Sequence, residues 1–411
     1  MEKIISIIIS IGSIIGMIYA FHKWYYKKRK DFILYSNYVK GNFFYPLSFI
    51  KDLISNNTSL LSSENDYINF SLALRNGYYS KSIKKLSIKI DNEIKEIEIP
   101  YSEIINYIEN PTSSIKITTS ELSGQFKLLP DIINRTDYIL SEFLLKKPNT
   151  YNGKTLRINK LEKKDANSYS CTLQTATYFD QIRTNLTLDM PLKGEEEETI
   201  RIKDLSGNGT LKPLSESIMA NTIGVSAIWY TPTLHNSIKG GIRFFLMPRK
   251  SQTGVYYNSL GSISGVVEPP ISISIDNGNY NITNTFDVDC LEKYVSKEIL
   301  REFYEETNYK EYMTATNIDE KEIKIIPLAF LRELTRGGKP QFMFAIRTPY
   351  IDDDSMMKFF KKSINGLEEF NNSFISRIRT YKLSPETYVN LLYTLRYIQN
   401  NHSLQYIDLN K

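Results

Sequence analysis

The sequence predicts an α+β chain: a mixed arrangement of strands and helices, preceded by a single apolar N-terminal helix. Three observations lead there. Strand-like runs rich in Val, Ile, Phe, Tyr and Trp recur along the 411 residues. Between and after them lie segments whose apolar residues return at helical spacing. At the start, Ile4–Phe21 is an uninterrupted run of eighteen uncharged, mostly apolar residues. As a helix it would reach about 27 Å, close to the thickness of a bilayer core. Trp24, Tyr25 and Tyr26 follow where an interfacial aromatic belt belongs, and then Lys27, Lys28, Arg29 and Lys30. The basic flank places the rest of the chain in the cytoplasm, single-pass in the cell inner membrane. A cleavable signal peptide would carry its charge before the apolar run, not after it.

Composition sets the frame. A hydrophobic content of 41% supports a packed core. The net charge of +5 comes largely from the basic cluster beside the apolar run. It therefore favours anionic lipid over nucleic acid as a partner. The two cysteines, Cys171 and Cys290, make no metal pattern and no disulfide framework. With only three histidines, none spaced with a partner, a Ser-His-Asp chemistry has little basis.

Several elements can be placed along the chain. Ser82–Ile99 alternates with period two around Asp91-Asn92, which predicts two half-buried strands. Ser102–Ile108 reads as a short helix and Ser113–Thr119 as a strand. Leu128–Leu145 reads as a helix after Pro130. Thr155–Leu161, Ser168–Gln174 and Leu186–Met190 read as strands, and the acidic run Glu195–Glu198 after Gly194 as a solvated loop. Asn221–Tyr230 and Gly241–Met247 are strong strand candidates. So are Ile325–Leu334 and Gln341–Thr348, joined by a turn containing Gly337-Gly338. Met356–Asn365 is a helix candidate. Ser384-Pro385 opens another, with the serine as N-cap and Tyr388, Leu391, Leu392, Leu395 and Ile398 facing a core.

The chemistry-bearing segment is Arg301–Glu306, Arg-Glu-Phe-Tyr-Glu-Glu. Glu302, Glu305 and Glu306 share one helical face. Carboxylates gathered so closely repel unless a cation sits among them, and Mg²⁺ takes such oxygen ligands, particularly beside a phosphate. Arg301 is placed to pair with one acid and orient it. A solvated acidic helix face is the plainer reading of the same residues. Tyr178-Phe179-Asp180 and Arg183-Thr184-Asn185 form a dense polar-aromatic patch that could face substrate, though ordinary packing is the simpler account.

This segment resembles the catalytic half of the Nudix box: Arg301, Glu302, Phe303, Glu305 and Glu306 match its pattern. Ser264-Gly265-Val266-Val267-Glu268 resembles the glycine-led loop that opens the box. An insertion, about residues 271–290, stretches the spacing between the halves, and Glu292 lies one place from the family's first box glutamate. Asn308 stands where the family has glycine; asparagine also tolerates the left-handed conformation of a C-cap. The resemblance covers about residues 215–350. It implies a Nudix-like α/β/α sandwich with a mixed sheet, within a chain divided as 1–30 anchor, 31–214 α+β region, 215–350 Nudix-like domain and 351–411 C-terminal helices.

The resemblance implies further a hydrolase that cleaves the pyrophosphate of a nucleoside diphosphate-linked compound. Mg²⁺ (or Mn²⁺) would be held by Glu302, Glu305, Glu306 and the Gly265 carbonyl. Glu302 would be the general base and Arg301 its orienting partner. Arg249 and Lys250 are candidate phosphate contacts. The partners implied are a nucleotide small molecule and the membrane, with a second copy of the chain a further candidate. The other reading is a nucleotide-sensing effector, because single-span proteins with Nudix-like domains resemble effectors of bacterial cyclic-nucleotide antiphage defence.

Overall fold

The structure, a computed structural model, describes residues 44–56, 79, 81–90, 93–109, 116–146, 148–233, 241–248, 260–270, 272–276, 279–283, 290–360 and 383–400, with Met17, Ala20, Phe21, Trp24 and Tyr25. β1 (Phe44–Pro46) and α1 (Leu47–Asn56) come first, then β2 (Lys84–Ile90), β3 (Glu93–Ile99), β4 (Tyr101–Asn106) and β5 (Lys116–Gln125). α2 (Pro130–Lys146), β6 (Lys154–Lys163), β7 (Ser168–Thr177), α3 (Tyr178–Arg183), β8 (Pro191–Leu192), β9 (Glu195–Thr199) and α4 (Ile200–Lys203) follow. The C-terminal half holds β10 (Gly224–Pro232), β11 (Ile242–Phe245), β12 (Met247–Pro248), β13 (Leu260–Gly261) and β14 (Ile263–Val266). Next are β15 (Ser272–Asp276), β16 (Asn279–Thr283), α5 (Leu291–Thr307), α6 (Tyr309–Thr316), β17 (Lys324–Glu333), β18 (Lys339–Arg347) and α7 (Pro385–Asn400).

A mixed sheet organises these elements. Its order is β1-β11-β10-β18-β17-β4, with β14 also paired to β10. β10 and β18 run parallel and the other pairs antiparallel. The period-two alternation of β10 sorts its side chains between two cores. Val225, Ala227 and Trp229 join one, and Ile228 and Tyr230 the other. The first core takes the α5 stripe, Phe330, Phe342 and Phe344, and the inner face of the β5-β7-β6 sheet through Ile117, Leu156, Ile158 and Leu173. The second takes Tyr388, Leu391, Leu392, Leu395 and Ile398 of α7. The fold is thus mixed α+β, with α5 on one face of the central sheet and α7 on the other.

Two edge strands of this sheet, β1 and β4, come from the segment upstream of residue 215. Ser102–Ile108 is predicted as a helix, but Tyr101–Asn106 is a strand paired to β17 from Glu333↔Tyr101 to Ala329↔Asn106. Here pairing with a strand far along the chain overrides the local helical reading, and gives the backbone groups of β17 their partners. Leu186–Met190 is a series of turns, not a strand. Here Thr184 and Thr187 donate side-chain hydrogen bonds to the carbonyls of Asp180 and Ile182, and only Leu188 enters a core. Glu195–Glu198 is a strand, not a loop. Gly194, at φ 92°, turns it back on β8, and Arg135 pairs with Glu198 at 2.8 Å. Arg201 fastens this upstream part to the β17–β18 turn. Its guanidinium grips Asp189 through two bonds (2.5 and 2.6 Å), donates to the Leu334 carbonyl at 2.9 Å, and lies over the Tyr79 ring.

A buried polar seam joins α7 to the sheet. Asn390 donates to Ser226, and Thr387 to Ser262. Lys339 donates to Gln341 at 3.0 Å, and Gln341 to Glu386 at 3.0 Å. Gly224 makes room for them, since a Cβ there would lie 2.2 Å from Lys339 Nζ and 2.0 Å from Gln341 Oε1.

Among the described residues no helix is long and apolar enough to cross a membrane. The run Ile4–Phe21 lies almost wholly outside them. Met17, Phe21, Trp24 and Tyr25 are helical with exposed side chains, and Phe21 packs on Trp24 with ring centroids 5.7 Å apart.

Two outcomes follow for stability. Phe303 is fully buried against Trp229, so Phe303→Ala should cost about 3–5 kcal/mol in denaturant unfolding. A cost below ~1 kcal/mol would mean that the ring does not seat the helix there. Burial lowers Lys339 to about 8, with Arg336 adding to the drop and Glu333 and Glu386 opposing it. Between that value and the ordinary lysine range the unfolded chain holds a proton that the folded chain has lost, so stability rises with pH across the window. Lys339→Met removes this titration, so the rise in parent stability between about pH 8 and the ordinary lysine range should be absent from the variant, and the stability difference between the two should change with pH across that window. Guanidinium melts at several pH values check this; a pH-independent difference contradicts it.

Candidate active site

α5 carries the site because its two faces differ. Leu291, Val295, Ile299, Phe303 and Thr307 recur every four residues and are buried. Each of the larger apolar side chains contributes roughly 1.5–3 kcal/mol of transfer free energy. Phe303 meets Trp229 edge to face at 5.1 Å, and Trp229 Nε1 donates to Thr348 Oγ1. The helix ends at Asn308 in the left-handed conformation, φ 52°, whose N–H bonds the Tyr304 carbonyl. With that stripe pinned, Glu298, Arg301, Glu302 and Glu305 face outward together.

The glycine strand meets this face. β14 pairs with β10 at Val225↔Gly265 and packs beneath α5. A Cβ on Gly265 would fall 2.2 Å from Glu302 Oε1 and 2.3 Å from its Cδ. Only a residue without a side chain lets the carboxylate lie there. The fold therefore brings together the two halves of the stretched motif, Gly265 and Arg301–Glu306.

Arg301 balances the acids. It donates to Glu305 (2.9 and 3.1 Å), to Glu302 (2.9 Å) and to Glu298 (3.3 Å). Glu305 is open to solvent at 57% side-chain exposure, whereas Glu302 and Glu298 are enclosed at 15% and 14%. Burial pushes the Glu302 carboxyl up to about 7; Arg301 opposes this, and Glu305, Glu298 and Glu268 add to it. Arg301 is held above its ordinary range by the same carboxylates, against its own burial. Glu306 is half-buried, with Oε2 shut off from solvent. Glu268 follows the glycine strand, and its carbonyl accepts a hydrogen bond from Tyr294 at 2.7 Å.

The donor atoms here are carboxylate oxygens, the chemistry a hard divalent cation takes, and the Gly265 backbone lies directly against one of them, Glu302 Oε1. Among the described residues no three His, Cys, Asp or Glu side chains already converge as a metal cage. Glu298, Glu302 and Glu305 converge on Arg301 instead. Glu298 and Tyr294 were not anticipated, and Glu268 was named only as part of the glycine loop, without a role; Glu298, three residues before Arg301, was detectable from helical spacing alone. Arg249 and Lys250 lie outside the described residues.

Glu292 does other work. Its two oxygens accept the Ile117 N–H (2.9 and 3.0 Å), and one also accepts from the Tyr107 hydroxyl at 3.3 Å. The Cys290 thiol donates to it at 3.2 Å. This carboxylate satisfies the edge of β5 and ties that sheet to the first turn of α5, away from the acidic face. The patch at Tyr178–Arg183 is also structural. Thr177 and Asp180 form a capping box, and Arg183 pairs with Asp137 at 2.6 Å.

No protein-family model matches the chain, and no curated protein matches it.

Glu292→Ala should leave the Ile117 amide without its acceptor and cost about 1–3 kcal/mol. Hydrogen exchange is the measurement: protection at Ile117 and its β5 neighbours should fall while α7 keeps its own, and unchanged protection would contradict the tie.

Proposed function

We propose that the chain is a membrane-tethered Nudix-type hydrolase that cleaves the pyrophosphate of a nucleoside diphosphate-linked compound with Mg²⁺ or Mn²⁺. One observation carries this reading: the glycine of the opening loop lies directly against Glu302 of the acidic helix, despite the insertion between them. A mixed sheet flanked by α5 and α7 supports a Nudix-like α/β/α sandwich. When bound, the metal ion would neutralise the pyrophosphate and activate a water. Glu302, Glu305 and Glu306 would hold it, with the Gly265 carbonyl beside them. Glu302, enclosed and raised toward neutrality, is suited to take the proton of the attacking water. Arg301 keeps the acids in register. Arg249 and Lys250 are proposed to meet the phosphates. The apolar run, its basic flank and the exposed Phe21, Trp24 and Tyr25 support a single-pass anchor in the inner membrane with the body cytoplasmic.

The second reading is a nucleotide-sensing effector of antiphage defence. The observation favouring it is that Glu302 and Glu305 are both already engaged by Arg301. The full chain in detergent, given Mg²⁺ and a panel of nucleoside diphosphate compounds, separates the two. The hydrolase reading expects turnover that falls roughly 10²–10⁴-fold in Glu302→Gln, with an unchanged melting temperature. Gly265→Ala, which displaces the same carboxylate, should also lose activity. Tight binding without turnover supports the effector. Neither binding nor turnover removes both.

A further inference from the structure

Glu298 stands outside the motif the acidic helix resembles, yet it is one of three carboxylates that Arg301 grips. The guanidinium divides its donors unevenly. Nη1 serves Glu305 alone, and Nη2 is shared between Glu302 at 2.9 Å and Glu298 at 3.3 Å. All four residues lie on one helix, at i−3, i, i+1 and i+4 from Arg301, so partners can be exchanged by side-chain rotation with the backbone still. A divalent cation seated on the Gly265 side of Glu302 would use Oε1, the oxygen that Arg301 holds, and at Glu305 it meets two oxygens that Arg301 also holds, so cation and guanidinium compete for them. The displaced guanidinium then has one enclosed carboxylate within reach, because Glu298 is 14% exposed and already bonded to it. A guanidinium turned into water would lose every charge-assisted bond; one held by Glu298 keeps that one.

We infer that Glu298 is the holding partner of Arg301: divalent metal replaces the arginine at Glu302 and Glu305, and Glu298 retains the arginine at the rim of the site. This rests on the metal-binding reading above. Glu298 is a positioning residue and contacts no substrate.

The test is Mn²⁺ binding to the full chain in detergent, followed by loss of the free-ion paramagnetic resonance signal. Arg301→Met removes the internal competitor and should tighten Mn²⁺ binding. Glu298→Gln should weaken it about 5–10-fold in the parent but less than ~2-fold in the Arg301→Met background, since adjacent groups acting through one partner are non-additive. Glu298→Asp, which keeps the carboxylate, should restore most of the affinity. Melting curves confirm that each variant is folded. An equal cost of Glu298→Gln in both backgrounds, or weaker binding in Arg301→Met, overturns the inference while leaving a metal site in place. Absence of Mn²⁺ binding by the parent overturns the metal reading itself, and this inference with it.

Discussion

The edge-to-face contact between Phe303 and Trp229 fixes how α5 lies on the sheet, and the site follows from that placement. Trp229 is held by its indole bond to Thr348 and by Phe245 and Tyr309 packed around it. The helix cannot roll without breaking a stripe in which every fourth residue is buried. Its outward face is therefore determined as firmly as its inward one. Four charged side chains crowd together there because the apolar residues leave them nowhere else to go. The electrostatic cost of that crowding is met locally by one arginine.

The same helix links two parts of the chain that sequence alone kept separate. Its first turn, through Glu292, satisfies the edge of β5; its middle rests on β14. Further along the chain, Arg201 joins Asp189 to the β17–β18 turn. These are charge-assisted bonds to backbone or bidentate pairs within enclosed surroundings, where such contacts are strongest. The upstream residues thus act as part of the scaffold under the acidic face.

Legibility in the sequence followed the range of the interaction. β10, β17, β18 and α7 were readable because their apolar periodicity is local and long. The acidic face was readable because helical spacing alone puts Glu302, Glu305 and Arg301 together. β4 was not, since its identity depends on β17, more than two hundred residues away. The role of Glu292 was hidden for the same reason: nothing near it in sequence marks the Ile117 amide as its partner. The Gly265 contact lies between. The glycine was noticeable, but only the fold could carry it across the insertion to Glu302.

β4 has a practical bearing on how the molecule can be divided. It covers one rim of the central sheet, and β1 covers the other. A fragment starting near residue 215 would expose the amides and carbonyls of β17 and β11 along both flanks. Bare strands of that kind recruit neighbouring copies, so such a trimmed protein should be prone to clumping. A shortened version intended for the bench should retain the chain from β1 onward.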